Sequence, residues 1–183
     1  MIDFTLTPEQ REIQKLSRAF AQNVTAKAPS VYKSLPTQQE RFRSLLPLYR
    51  EAVKAQQIKA GIPAPLGGLS NSLIDAAIAM EEQYAVDPSL TLTIAGNLLG
   101  LMPLFFKGTP AQHERFLKPF LSGEGEPLAA LVHSEPEGTA NWLVKGTPGL
   151  RTTARKVGGE WVLNGTKVSS CSILFDSANE DVD

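Results

Sequence analysis

The sequence predicts an α+β protein: a helical N-terminal domain, then a separate region of strands. Three observations predict it. Apolar residues recur at helical spacing as far as Ser122-Gly123, and the period changes to that of strands from Pro127 onward. Helices come first and strands after, without alternating, which is the pattern of separate α and β layers.

The helices follow in order. Thr7-Pro8 opens the first, with Thr7 as a hydroxyl cap and Pro8 at a position where a missing amide is harmless. Ile13, Leu16, Phe20 and Val24 then share one face, and Pro29 is expected to end the helix. A second stretch runs through Phe42, Leu45, Tyr49 and Val53; Pro47 in it is either a kink or the first-turn proline of a new helix. Ile62-Pro63-Ala64-Pro65-Leu66-Gly67-Gly68 is a shaped loop, because its prolines and glycines forbid regular hydrogen bonding. Ser72 and Asp75 form a capping-box pattern ahead of Leu73, Ile74, Ala77 and Ile78. Asp87-Pro88 caps a long apolar helix, on which Gly96 and Gly100 would let a neighbouring helix approach, and Gly108 stops it. Thr109-Pro110 starts the last helix, with Phe116, Leu117 and Phe120 as its apolar face.

Leu128 to Val132 is an apolar run suited to a buried strand. Leu150 to Val157 and Trp161 to Leu163 are strands joined by Gly158-Gly159, a two-residue hairpin turn, and Asn164-Gly165 marks the next turn.

A net charge of −1 with acids and bases interspersed argues against nucleic acid or an anionic membrane surface as a partner. One cysteine, Cys171, allows neither an intrachain disulfide nor a thiolate metal site. Met1-Ile2-Asp3-Phe4-Thr5 has no signal-peptide character, so an intracellular protein is expected, and the sequons at Asn23 and Asn164 are taken as chance. Pro88 to Phe106 is uncharged and nearly long enough to span a bilayer, but its small and polar residues and missing flanking belts favour a buried core helix.

Most site signals are missing. His113 and His133 lie in different elements, so no metal is expected, and there is neither a phosphate loop nor a Gly-x-Ser-x-Gly elbow. Glu81 and Glu82 are adjacent and point in different directions on a helix, so one or both are expected to be solvated. What stands out is His133-Ser134-Glu135-Pro136-Glu137-Gly138-Thr139-Ala140-Asn141-Trp142. It describes a strand leaving the core into a loop of small and hydroxyl residues. Such a loop offers amides and the Ser134 and Thr139 hydroxyls to a planar, acceptor-rich ligand, or it is an ordinary Ser/Thr-capped loop.

A resemblance favours the ligand. Phe4-Thr5-Leu6-Thr7-Pro8-Glu9-Gln10, the Pro63 to Gly68 loop, Glu81-Glu82, Gly108-Thr109-Pro110-Ala111-Gln112 leading into Phe116-Leu117, Gly123-Glu124 and Ser134-Glu135-Pro136 occur in the order and spacing of the acyl-CoA dehydrogenase superfamily. His133 to Trp142 is most similar to the nitroalkane oxidase branch; Ala140 and Asn141 stand where fatty-acyl members carry Ser and Asp, so a CoA contact is not carried over. The resemblance implies a helical domain, a β-barrel-like domain and a C-terminal helical bundle, with FAD between the last two and an oligomeric assembly. It places flavin contacts at Leu131, Val132, His133, Ser134, Thr139, Ala140 and Asn141. The implied reaction removes a proton next to an activating group of a small substrate, an acyl-CoA or a nitroalkane-like molecule, and passes two electrons to flavin.

After Lys167 the resemblance stops. Where the family has a Trp-led segment over the flavin, this chain has Ser169-Ser170-Cys171-Ser172-Ile173-Leu174-Phe175. The C-terminal bundle is absent, and the family's proton-abstracting carboxylate belongs to it, so no catalytic residue is assigned. The expectation is a truncated FAD-dependent oxidoreductase, inactive alone: residues 1–125 helical, 126–168 the first strands, 169–183 a divergent tail. Val168-Ser169 matches an intron donor read in frame, and the tail is expected to be retained intron or shifted frame. The alternative is a non-catalytic interaction module that pairs with a full-length homologue.

Overall fold

The computed structural model describes residues 5–136, 145–146 and 149–170. Thr139, Ala140 and Asn141, and the tail from Cys171 onward, lie outside the described residues.

Eight α-helices are described, and local chemistry sets where most of them start. α1 (Pro8–Asn23) begins with a full capping box: Thr7 Oγ1 accepts from the Gln10 amide at 3.2 Å while the Gln10 side chain accepts from the Thr7 amide at 3.0 Å. Thr37 with Glu40 opens α3 (Gln38–Ser44), and Thr109 with Gln112 opens α8 (Pro110–Leu121), in the same way. Between them lie α2 (Ala28–Tyr32), α4 (Leu46–Lys54), α5 (Gln57–Gly61), α6 (Leu73–Tyr84) and α7 (Pro88–Lys107).

Several expectations need correction. Pro29 does not end the first helix; α1 stops at Asn23, a 3-10 turn follows, and Pro29 stands in the first turn of α2, where its missing amide is harmless. Pro47 is likewise a first-turn proline, of α4. Only half of the Ser72 capping box forms, since Ser72 Oγ accepts from the Asp75 amide at 3.1 Å but the Asp75 carboxylate turns to Gln10 Nε2 at 3.5 Å. Leu16 and Phe116 are exposed rather than core-facing, and Phe116 lies beneath the Arg115 guanidinium.

α7 runs through the middle of the helical domain. By length and a mean hydropathy of 1.6 it could cross a membrane, yet here α4, α5, α6 and α8 pack around it. Leu90, Ile94 and Leu101 join Tyr49, Ile58 and Leu117 in one core. Its N-terminus is buried and satisfied: Asp87 accepts from the Leu90 amide at 2.9 Å and from the Tyr32 hydroxyl at 2.8 Å. On the outer layer, α6 packs along α1, and Glu82 takes both prongs of Arg18 at 2.7 Å. That hydrogen bonding lowers the Glu82 pKa, so this carboxylate is a structural ion pair rather than a solvated group.

The β region is two separate antiparallel pairs. β1 (Val132–Ser134) pairs with β4 (Ser169–Ser170), with an irregular register. β2 (Thr153–Val157) and β3 (Glu160–Asn164) form a regular hairpin in which Lys156 faces Trp161 and Ala154 faces Leu163. Gly158 and Gly159 both adopt positive φ, 57° and 94°, which suits the twist of a two-residue hairpin. The apolar run Leu128 to Val132 is extended, but the strand starts only at Val132; ahead of it the Ala129 amide bonds to Asn97 on α7 rather than to a ladder.

Every residue of the hairpin is exposed, including Trp161 at 66% and Leu163 at 71%. Exposed apolar side chains on a two-stranded unit invite association. The chain is therefore expected to self-associate at high concentration. The double substitution Trp161→Lys, Leu163→Lys should raise the concentration required by roughly tenfold or more, read by analytical ultracentrifugation.

Candidate flavin-facing strand

The helical domain aims one stretch of extended chain. On α4, Arg50 pairs with Glu126, and the Tyr49 hydroxyl donates to the Pro127 carbonyl oxygen. On α7, Asn97 Oδ1 accepts from the Ala129 amide at 2.7 Å, and Asn97 Nδ2 donates to Tyr49 Oη at 3.0 Å and to the Thr93 carbonyl at 2.8 Å. Asn97 is fully buried and Tyr49 nearly so. Burial pushes the Tyr49 pKa well above the usual phenol range, so the hydroxyl stays a donor. One turn along α7, Gly100 lies against the backbone of residues 129–130; a Cβ there would come within 2.6 Å of the Ala130 nitrogen. The close neighbour that Gly100 admits is thus an extended strand, not the helix expected from sequence.

Beyond residue 130 the chain enters β1 and meets a buried carboxylate. Glu135 is 5% exposed. Its oxygens accept from the Arg151 amide at 2.5 Å, the Thr152 amide at 3.0 Å and Lys167 Nζ at 2.8 Å. The Lys167 ammonium, foremost, and these amides hold the Glu135 carboxyl far below the usual carboxylate range. Lys167 Nζ also donates to the His133 carbonyl oxygen at 2.9 Å, and the Val168 amide donates to the Ser134 carbonyl oxygen at 3.0 Å. Both carbonyl oxygens are therefore engaged within the protein. The Ser134 side chain is exposed, and its hydroxyl has no hydrogen-bond partner among the described residues.

The structure brings Leu131, Val132, His133 and Ser134 together on one extended segment. Thr139, Ala140 and Asn141 fall outside the described residues. Reading the sequence missed the groups that hold this segment: Tyr49 and Asn97 on one side, Glu135 and Lys167 on the other. Glu135 sat within the highlighted motif, and Lys167 was the last residue of the resemblance, but nothing in their spacing says that they meet. Among the described residues no cluster of three or more His, Cys, Asp or Glu side chains could hold a metal.

A cavity of about 290 Å³ lies elsewhere, between α1, α5, α6 and α7. Thr91, Ile94, Ala95 and Leu98 line it from one face of α7, turned away from Asn97 and Gly100, so it is not continuous with the strand.

A helical N-terminal domain followed by short antiparallel strands is the architecture this chain shares with acyl-CoA dehydrogenase-type proteins. Residues 7–124 match the family model described as "Acyl-CoA dehydrogenase, N-terminal domain", and the chain belongs to this family. It is 53% identical over 168 residues to nitroalkane oxidase of Fusarium oxysporum, covering 92% of this chain and 38% of that protein. A solved structure of the flavoprotein nitroalkane oxidase superposes with a TM-score of 0.87 at 52% identity, over 92% of this chain and 39% of that one. An acyl-CoA dehydrogenase from Bacillus anthracis, solved with FAD, shares the fold with a TM-score of 0.71 at 22% identity. The chain thus spans about two fifths of the length of the nitroalkane oxidases it matches.

Proposed function

We propose that this chain supplies the helical domain and one flavin wall of an FAD-dependent oxidoreductase acting on a nitroalkane-like small molecule. The observation that carries this reading is the strand itself: the His133 and Ser134 carbonyl oxygens are taken up by hydrogen bonds within the protein while the Ser134 side chain is exposed. A wall that presents a donor and hides its acceptors suits the acceptor-rich pyrimidine edge of a flavin. Leu131, Val132, His133 and Ser134, with Thr139, Ala140 and Asn141, would hold FAD. When bound, FAD supplies the acceptor for the electron pair left as a proton departs next to an activating group.

The proton requires a base, and Glu135 is not one. It is buried, held in its ionised form, and bonded to Lys167 and two amides, so it is committed to the protein's own donors. The chain alone is therefore proposed to be inactive. Its affinity for FAD is proposed to be weak, because one wall must offset the lost freedom of a large ligand. The rival reading, an interaction module that pairs with a full-length homologue, draws on the exposed apolar hairpin of β2 and β3.

The test is to mix the purified chain with FAD, pass it through gel filtration, and assay it with a primary nitroalkane. The expected sample is colourless and without turnover. A yellow sample holding stoichiometric flavin, or one that bleaches anaerobically with substrate, would contradict the proposal.

A further inference from the structure

We infer that Glu135 and Lys167 are positioning residues that preset the flavin-facing strand, the ammonium occupying the His133 carbonyl oxygen and the carboxylate fixing the end of the strand to the chain before β2. The inference rests on the proposed flavin reading for the ligand, but its geometry stands independently of any ligand.

Among the described residues the hairpin of the β region contributes no buried apolar side chain to do this work. β1 pairs only with β4 and β2 only with β3, so no ladder joins the two sheets among the described residues. The hairpin buries none of its side chains. What crosses from β1 to the hairpin is the Glu135 carboxylate, reaching the chain just before β2 through the Arg151 and Thr152 amides. What crosses to the chain after β3 is Lys167, whose ammonium spans Glu135 Oε1 and the His133 carbonyl oxygen. The next residue, Val168, donates its amide to Ser134. One carboxylate and one ammonium thereby tie three stretches of chain together.

A buried charge binds such a centre tightly only while its partner is present, because removing one member strands the other. Lys167 is the charged side chain that meets Glu135, so losing the ammonium should let the carboxyl titrate higher. With the pair intact, the Glu135 pKa is lowered on folding; its stabilising contribution is full above the ordinary value of 4.5 and fades only as pH falls well below it.

The experiment is NMR on the full chain and on three variants: Glu135→Gln, Lys167→Met and Lys167→Arg. In Lys167→Met, amide exchange at Arg151, Thr152 and Val168 should quicken about tenfold or more, as a local opening does, while Leu90 and Asn97 in α7 keep their protection. The Glu135 carboxyl should titrate higher in Lys167→Met than in the parent chain, and Lys167→Arg should retain the parent behaviour in both readouts. On addition of FAD, shifts at Val132, His133 and Ser134 in the parent should survive in Lys167→Arg and be lost in Lys167→Met and Glu135→Gln. Unchanged exchange and titration in Lys167→Met would overturn the inference, as would equal FAD shifts in all variants. Absence of FAD shifts in the parent would sink the flavin reading alone, leaving exchange, titration and the arginine rescue to decide the positioning role.

Discussion

Replacing Asn97 with Ala is expected to destabilise the helical domain by about 3 kcal/mol, since each buried polar group left without a partner costs about 1–3 kcal/mol. The groups involved are specific. Asn97 Oδ1 is the acceptor for the Ala129 amide, and Asn97 Nδ2 serves the Tyr49 hydroxyl and the Thr93 carbonyl. Tyr49→Phe should cost less, about 1 kcal/mol, because it removes a single hydroxyl that donates to Pro127. The double variant should be less destabilised than the sum of the two, since the residues share a hydrogen bond. Urea denaturation followed by helical circular dichroism measures all three. Additive losses would mean that Tyr49 and Asn97 act separately and that no joint clamp holds residues 127–129.

Gly100→Val is expected to separate folding from aim. A Cβ at this position meets the Ala130 nitrogen at 2.6 Å and the Ala129 carbonyl carbon at 2.7 Å, both backbone atoms that no side-chain rotation can move. Either α7 or the strand must shift, and α7 is packed on several sides by core residues such as Leu90, Ile94 and Leu101. The strand should give way, at about 1–3 kcal/mol for the overpacking. The expected signature is a helical spectrum close to that of the parent, with loss of the protected Ala129 amide and moved resonances at Val132 to Ser134. A variant that keeps the Ala129 amide protected would show that α7 yields instead, and that the helical domain does not fix the strand.

Local signals made the helices legible. Thr7, Thr37 and Thr109 each accept from the amide three residues on, and the prolines at 8, 29, 47, 88 and 110 all sit in first turns. The Pro29 error shows the limit of such signals, since proline stops one helix and starts another with equal ease, and only packing decides. Family motifs pointed to the candidate segment, and the likeness to nitroalkane oxidase over 92% of the chain agrees with the family recognition. What holds the segment was not legible. Tyr49, Asn97 and Ala129 are far apart in sequence, and so are Glu135, Arg151 and Lys167; such meetings follow from tertiary packing, which no spacing rule encodes. The start of β1 was misplaced for the same reason. An apolar run such as Leu128 to Val132 predicts burial, but not whether its amides bond to a ladder or, as at Ala129, to a helix side chain.

The most direct test of the central claim, that the strand from Leu131 to Ser134 is a flavin wall, is an FAD titration of the ¹⁵N-labelled chain. The account predicts weak saturable binding with a dissociation constant in roughly the millimolar range, about −4 kcal/mol. The largest shifts should fall at Leu131 to Ser134, with little change at the cavity residues Thr91 and Leu98. Shifts concentrated at the cavity, or none at Leu131 to Ser134 at saturating FAD, would contradict it.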